Sequence, residues 1–311
     1  MSLTSYLAPE GFEKDLLEEI RQHQDLSLKK TLGRLLIVEG PQKSLAFAQD
    51  TWLDVQVQNF ESIKQAAKIL KENGKWWTPY SFQFHRRASL IQENLAKVKN
   101  PNFKYGDNAP ERTLSAWTLE TENTIVFSPK TTSQFPLGEV TFEEDKSAPS
   151  RAYLKLWEYF TVTNQKPKAN ELCVDLGSSP GGWTWVLNNL GAQVISVDKA
   201  PLAAELQDQP NIQMLKKDAF TLKPQEVGPV DWLFSDIICY PQKLFELVQE
   251  WRASNMAKNY VCTIKFQGET DFKALQAFQS IPGSEIRHLS ANKHEVTWSW
   301  HQPQLDNSRQ V

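Results

Sequence analysis

Residues 174–183 read VDLGSSPGGW: an apolar run ending in an acid, a glycine-rich turn, and the start of an amphipathic stretch. Gly177, Gly181 and Gly182 carry no Cβ to obstruct a ligand, and the first turn of a following helix offers N–H groups with no intrahelical partner. Such a turn fits a nucleotide-like ligand. Three more acids close later apolar runs, Asp198 after VISV, Asp218 after IQMLKK and Asp236 after WLFS, at steps of 23, 20 and 18 residues counted from Asp175. Each step is about the length of one strand-helix unit, so the four acids are expected along the carboxyl edge of a parallel sheet, where open α/β sheets bind ligands. There Asp198 can accept from ribose hydroxyls and Asp218 from an adenine amino group. One such acid alone is as readily a helix N-cap or turn residue. The common register of several points to a shared site.

Two other nucleotide-binding turns share this outline. A P-loop needs Gly-Lys-Ser/Thr at its end, and here Gly182 is followed by Trp183 and Thr184 with no lysine. A dinucleotide turn needs a middle glycine for close pyrophosphate approach, and Ser179 stands there.

The elements that must position these residues follow from patterning. From residue 171 onward, the apolar runs ELCVDL, QVISVD, IQMLKKD, VDWLFSD and YVCTIKF alternate with helical stretches at 183–190, 202–206, 242–251 and 271–279. Segments 285–289 and 294–300 are close enough in sequence to form a final hairpin. Before about residue 148 the pattern is irregular and reads as α+β: a helix after Pro9 and Gly11, a strand RLLIVE, a helix at 44–52, a strand at 55–60 and a helix at 62–72. The polar stretch 141–150 (TFEEDKSAPS) is the expected linker.

The 311 residues include 34 Lys and Arg against 37 Asp and Glu, a formal net charge of −3, so any nucleic acid must be bound by a local face. Lys29, Lys30, Arg86, Arg87 and Lys146 could meet phosphates, and Trp76, Trp77 and Tyr80 could stack on unpaired bases; a solvated charged face and a partly buried aromatic cluster are the plainer readings. Cys173, Cys239 and Cys262 are too scattered for a disulfide framework and read as reduced core thiols. The start MSLTSYLAPEG lacks a basic region followed by an apolar stretch, and no window reaches the roughly 18 apolar residues of a membrane span, so a cytoplasmic location is expected. No histidine pair has ligand spacing, and no metal is expected.

At this point VDLGSSPGGW resembles the VDLG-x-x-PGGW loop of the FtsJ-like ribose 2′-O-methyltransferases, and residues 150–158 (SRAYLKLWE) resemble that family's SR-x-x-x-KL-x-E segment. APSRAYLKL, SVDKAPLAAEL, KDAFTLKP and the late EVTW are most similar to the RlmM-type large-subunit rRNA methyltransferases within it. The resemblance covers residues 148–300 strongly and the earlier part weakly. It implies a Rossmann-like α/β methyltransferase fold with a mainly parallel seven-stranded sheet over 148–301. An N-terminal α+β, ferredoxin-like module would occupy 1–75, a THUMP-like or reduced RNA-binding region 76–147, and a polar tail 302–311. It implies S-adenosylmethionine as cofactor, held by Ser150, Asp175, Gly177, Ser179, Pro180, Gly181, Gly182, Trp183, Asp198, Asp218 and Asp236. It implies large-subunit rRNA as partner, at a cytidine, with no DNA and no membrane, and a catalytic set of Lys155, Asp236, Lys265 and Glu295.

In that set Lys265 is the candidate general base, with Asp236 and Glu295 orienting the amines. A lysine amine is protonated near neutral pH, so burial and nearby positive charge would have to favour its neutral form while the carboxylates oppose it. Without the resemblance, Lys155 would pair with Glu158 on a helix surface. The competing functions are a base methyltransferase using Cys239 as nucleophile and a non-catalytic RNA-binding module that retains the cofactor fold.

Overall fold

A computed structural model of the chain describes residues 2–104 and 106–303; residues 304–311 of the expected tail lie outside the described residues. The chain divides into two compact units, one up to Glu143 and one from Glu144 on, within the polar stretch 141–150.

The first unit runs β1 (Leu3–Leu7), α1 (Glu13–Gln22), β2 (Ser27–Leu32), β3 (Leu35–Glu39), β4 (Asp50–Leu53), β5 (Gln56–Asn59), α2 (Ile63–Asn73), β6 (Trp77–Pro79), α3 (His85–Gln92), β7 (Ser115–Thr121), β8 (Thr124–Ser128) and β9 (Lys130–Thr131). Its sheets have the orders β2-β3-β1-β4-β9 and β5-β8-β7-β6. They do not part at residue 75: β5 joins the later strands and β9 returns to β4. All four side chains of β5 are exposed, so its sequence carried no apolar signal of the partner that its backbone finds in β8. The helix expected at 44–52 is also absent. The N–H groups of Ala46 and Phe47 donate to the buried carboxylate of Glu19 at 2.7 and 3.0 Å, and Asp50–Leu53 pairs with β1 as a strand. Those amides thus have partners without helical turns. Helix α2 forms as expected, with Ser62 Oγ accepting from the Gln65 N–H at 3.2 Å and Ala66, Ala67, Ile69 and Leu70 buried.

The second unit runs α4 (Tyr153–Thr163), β10 (Leu172–Leu176), α5 (Gly182–Asn189), β11 (Gln193–Asp198), α6 (Ala204–Gln207), β12 (Ile212–Lys216), α7 (Pro224–Val227), β13 (Val230–Ser235), α8 (Pro241–Ser254), β14 (Ala257–Lys265), α9 (Phe272–Gln279), β15 (Ser284–Arg287) and β16 (Glu295–His301). Its seven-stranded sheet has the order β12-β11-β10-β13-β14-β16-β15, with β16 antiparallel to both neighbours and the other adjacent pairs parallel. Because β11 and β13 flank β10, the strand order reverses there, and a crevice opens at the carboxyl ends of β10 and β13. The interior strands are apolar on both faces, as a sheet covered by helices requires.

The turn into α5 depends on Gly181, at φ +115°, where an added Cβ would meet the Leu206 and Leu202 side chains. Gly181→Ala should destabilise the second unit by about 1–3 kcal/mol through backbone strain and overpacking. Scanning calorimetry reads this as a lowered transition for that unit, and an unmoved transition would refute the packing argument.

Candidate active site

Asp175 lies in β10, Asp198 ends β11, Asp236 follows β13 directly and Asp218 stands two residues past the end of β12, so all four acids stand at the carboxyl edge. A cavity of about 340 Å³ opens there, lined by Ser150, Asp175, Gly177, Ser179, Pro180, Gly182, Trp183, Asp198 and Asp236 among others. An adjoining cavity of about 290 Å³ shares Gly177, Asp198, Ile237 and Ile238 with it and is lined by Asp218 and Phe220. Of the residues expected to hold the cofactor, Gly181 alone lines neither cavity.

The glycines serve internal packing. A Cβ on Gly177 would sit 2.5 Å from Ile237 Cγ1, and one on Gly182 would meet Ser150 Oγ. At Gly177, Gly181 and Gly182 the missing Cβ thus also makes room for the protein's own Ile237, Leu206 and Ser150, while Gly177 and Gly182 line the cavity as well.

Hydrogen bonds fix the edge. Asp198 accepts from the Ser179 N–H at 3.0 Å and the Ala200 N–H at 2.9 Å, holding the glycine turn against β11. Ser179 Oγ donates to the Pro201 carbonyl at 2.9 Å. The neighbouring Ser178, which sequence reasoning passed over, has a buried Oγ with no hydrogen-bond partner and lines the larger cavity. Asp218 accepts from Lys199 Nζ at 2.7 Å and from the Phe220 N–H at 3.0 Å, and chiefly the Lys199 contact lowers its pKa. Asp175 is buried, and desolvation pushes its carboxyl up to about 7 against the hydrogen bond that Thr184 Oγ1 donates at 2.7 Å.

At one side of the larger cavity Lys155, Asp236, Lys265 and Glu295 converge. Lys155 Nζ is 3.1 Å from Asp236 Oδ1 and 2.6 Å from Glu295 Oε1. Lys265 Nζ is 3.0 Å from Asp236 Oδ1 and donates to the Asp236 carbonyl at 2.7 Å. Asp236 Oδ1 therefore joins both amines. Side-chain exposures of 11, 15, 17 and 9 % for Lys155, Asp236, Lys265 and Glu295 leave the cluster largely sheltered yet in reach of the cavity, which Asp236 and Lys265 line. Each member comes from a different element: Lys155 from α4, Asp236 from the end of β13, Lys265 from the end of β14 and Glu295 from the start of β16. Antiparallel register sets Lys265 directly opposite Glu295.

The surface pair with Glu158, the alternative reading of Lys155, does not form. Glu158 is buried and its two carboxylate oxygens accept from the Ser290 and Ala291 N–H groups at 2.8 and 3.2 Å. Those residues begin the loop that leads into β16. Within that loop Asn292 accepts from the Leu289 N–H at 2.7 Å and donates to Glu295 Oε1 at 3.3 Å. Helix α4 thus grips the approach to Glu295 through Glu158 and Glu295 itself through Lys155. The available signal for Glu158 was an acid among YLKLWEYF, an apolar helix in which a carboxylate needs buried donors.

Cys239 is buried, and desolvation raises its thiol pKa, which disfavours the thiolate a nucleophile needs. In the first unit, Trp77 and Tyr80 are buried: Trp77 packs in an apolar core with Trp117 and Phe127, and Tyr80 Oη accepts from the Arg34 N–H at 2.7 Å. Neither presents a face to a base, whereas Trp76 is exposed. Lys29 pairs with Glu39 and Lys30 with Glu120, so their charge is largely compensated; Arg86 and Lys146 are exposed, and Arg87 lies over the Phe60 ring at 5.3 Å. His294 is hydrogen-bonded to Thr270 Oγ1 at 2.8 Å.

Burial pushes the Glu158 carboxyl from an ordinary value of 4.5 up to about 7 despite its two backbone donors. Between those values the folded form holds a proton that the unfolded chain has released, so stability contributed by the neutral group is lost as pH rises through this window. Glu158→Gln should flatten the second unit's Tm profile between pH about 5 and 7.5. A profile parallel to wild type would reject this role.

A family model described as FtsJ-like methyltransferase matches residues 148–281, a stretch containing Lys155, Asp236 and Lys265. The "Ribosomal RNA large subunit methyltransferase M" of Laribacter hongkongensis (strain HLHK9) is 34 % identical over 290 residues, covering 86 % of this chain and 75 % of that protein. A protein of the same name from Halorhodospira halophila (strain DSM 244 / SL1) is 36 % identical over 171 residues, 52 % of this chain and 50 % of its own. Among solved structures, Aeropyrum pernix fibrillarin "in complex with natively bound S-adenosyl-L-methionine" matches 62 % of this chain and 84 % of its own at 14 % identity and a TM-score of 0.40.

Proposed function

The chain belongs to the ribosomal RNA large subunit methyltransferase M family, and from that premise we propose that it transfers a methyl group from S-adenosylmethionine to a ribose 2′-hydroxyl of large-subunit rRNA, at a cytidine. The observation that carries the choice of a hydroxyl acceptor is the meeting of two amines and two carboxylates at the cavity's edge.

The residues present suit the cofactor. Asp198 and Asp236 give the larger cavity an acidic wall that favours a cationic sulfonium, and Ser178, whose buried hydroxyl has no hydrogen-bond partner, is among the lining residues. The carboxylates of Asp198 and Asp218, in adjoining cavities, suit ribose hydroxyls and an adenine amino group. When bound, S-adenosylmethionine supplies an already activated methyl electrophile.

What remains for the protein is alignment and proton removal. Lys265 takes the role of base because it lines the cavity, as Lys155 does not. In its neutral form Nζ keeps its two donations to Asp236 and offers its lone pair at a remaining tetrahedral position. Lys155, held between Asp236 and Glu295, keeps the two carboxylates apart and fixed. The proposal includes RNA contacts by the THUMP-like or reduced region 76–147, where Arg86 and Trp76 are exposed, and a cytoplasmic location; among the described residues no helix is long and apolar enough to cross a membrane.

Tritium transfer from labelled S-adenosylmethionine into rRNA from cells lacking this protein, followed by mapping of 2′-O-methyl positions, tests the reaction. Lys265→Ala should lower transfer by roughly 10²–10⁴-fold, the usual worth of a general base, with cofactor affinity within a few-fold of wild type. Undiminished turnover in that variant would falsify the assignment. Cys239→Ala should leave the rate unchanged, and its abolition would favour a base methyltransferase with a cysteine nucleophile.

A further inference from the structure

Among the described residues from Glu144 on, the large apolar side chains that stand exposed are Ile238, at 82 %, and Tyr240, at 66 %. Both belong to the loop 236–240 that joins β13 to α8 and begins with Asp236. The loop is anchored by its alternate members: Ile237 packs on Gly177, and Cys239 is buried. This alternation turns Ile238 and Tyr240 outward together. Ile238 lines both cavities, whereas Tyr240 lines neither and so lies beyond the space assigned to the cofactor.

We propose that Tyr240, flanked by Ile238, is the platform on which the nucleobase of the target nucleotide stacks. The inference rests on the proposed ribose methylation. A base hangs from the sugar carbon next to the one bearing the 2′-hydroxyl, so it must lie within about a nucleotide's width of the cluster at Asp236. Four residues of chain reach at most about 14 Å, which keeps Tyr240 within that neighbourhood. An aromatic face stacks on any base, and the apolar exposure that folding leaves unrelieved is covered when one arrives. Lys243, in the first turn of α8, is exposed and makes no ion pair among the described residues; it also lines the smaller cavity, its Nζ 3.9 Å from the Phe220 ring centroid, and so sets a positive charge beside both the cofactor space and the loop.

The test uses the full chain and protein-free large-subunit rRNA lacking the modification, with kcat and KM for RNA measured for wild type, Tyr240→Ala and Tyr240→Phe, and cofactor affinity by calorimetry. Tyr240→Ala should lower kcat/KM for RNA roughly five- to hundredfold, the worth of one aromatic–base stack, mainly through KM. Cofactor affinity should stay within about twofold, and Tyr240→Phe, which keeps the ring, should recover most of the loss. Wild-type kcat/KM in Tyr240→Ala overturns the platform. So does a Phe variant as impaired as the Ala variant, or an equal loss of cofactor affinity, which would mean that the loop itself had collapsed. If wild type transfers no methyl to any RNA, the underlying reading fails, and the wild-type arm alone reveals that.

Discussion

Two amines and two carboxylates hold one another in place at the edge of a parallel sheet, and Asp236 is the member that joins the amines. Its Oδ1 contacts both Lys155 and Lys265, while its carbonyl accepts from Lys265 as well. In a sheltered position an unpaired charge costs several kcal/mol, so each of these groups is tolerable because its opposites are already there. Removing any one would leave the others under-compensated, and the geometry of the whole set depends on four separate elements arriving in register.

The fold meets that condition with rigid parts. Strand ends supply Asp236, Lys265 and Glu295, and α4 supplies Lys155. Pairing of β14 with β16 fixes Lys265 against Glu295 by hydrogen-bond register. The grip of Glu158 on Ser290 and Ala291, continued through Asn292, fixes the loop that delivers Glu295. A buried carboxylate serving backbone amides therefore supports the sheltered Lys155 three residues away on the same helix. The cofactor side is built likewise. Asp198 ties down the glycine turn, and the glycines admit Ile237, Leu206 and Ser150 at distances that a Cβ would forbid. The hydroxyl left without a partner is that of Ser178, a residue of the cavity lining.

Much of this was legible in the residues themselves. The recurrence of Asp175, Asp198, Asp218 and Asp236 at strand-helix intervals placed one sheet edge correctly, because a parallel sheet forces each strand to end on the same side. The glycine turn, the helices after it and the late hairpin follow from local patterning that tertiary contacts reinforce. The first unit was less legible. The segment 44–52 has helical composition, yet Glu19, some 27 residues earlier, satisfies the amides of Ala46 and Phe47, and β1 claims Asp50–Leu53 as a strand. Trp77 and Tyr80 have the chemistry of a stacking platform, but their burial is a property of the packed core and leaves no local trace.

By itself the sequence determined which chemistry-bearing residues exist and on which edge most of them fall, since strand periodicity and chain order are local quantities. Only the tertiary structure decided which partners they take: that Lys155 turns to Asp236 and Glu295 and not to Glu158, that Glu158 serves a loop 132 residues away, and that Ser178 rather than Ser179 keeps a free hydroxyl. The reason is physical. Pairing of charges and burial of polar groups are settled by distance in space, and the neighbours that satisfy a carboxylate or an amide come from strands and loops that the chain reaches only after it has folded.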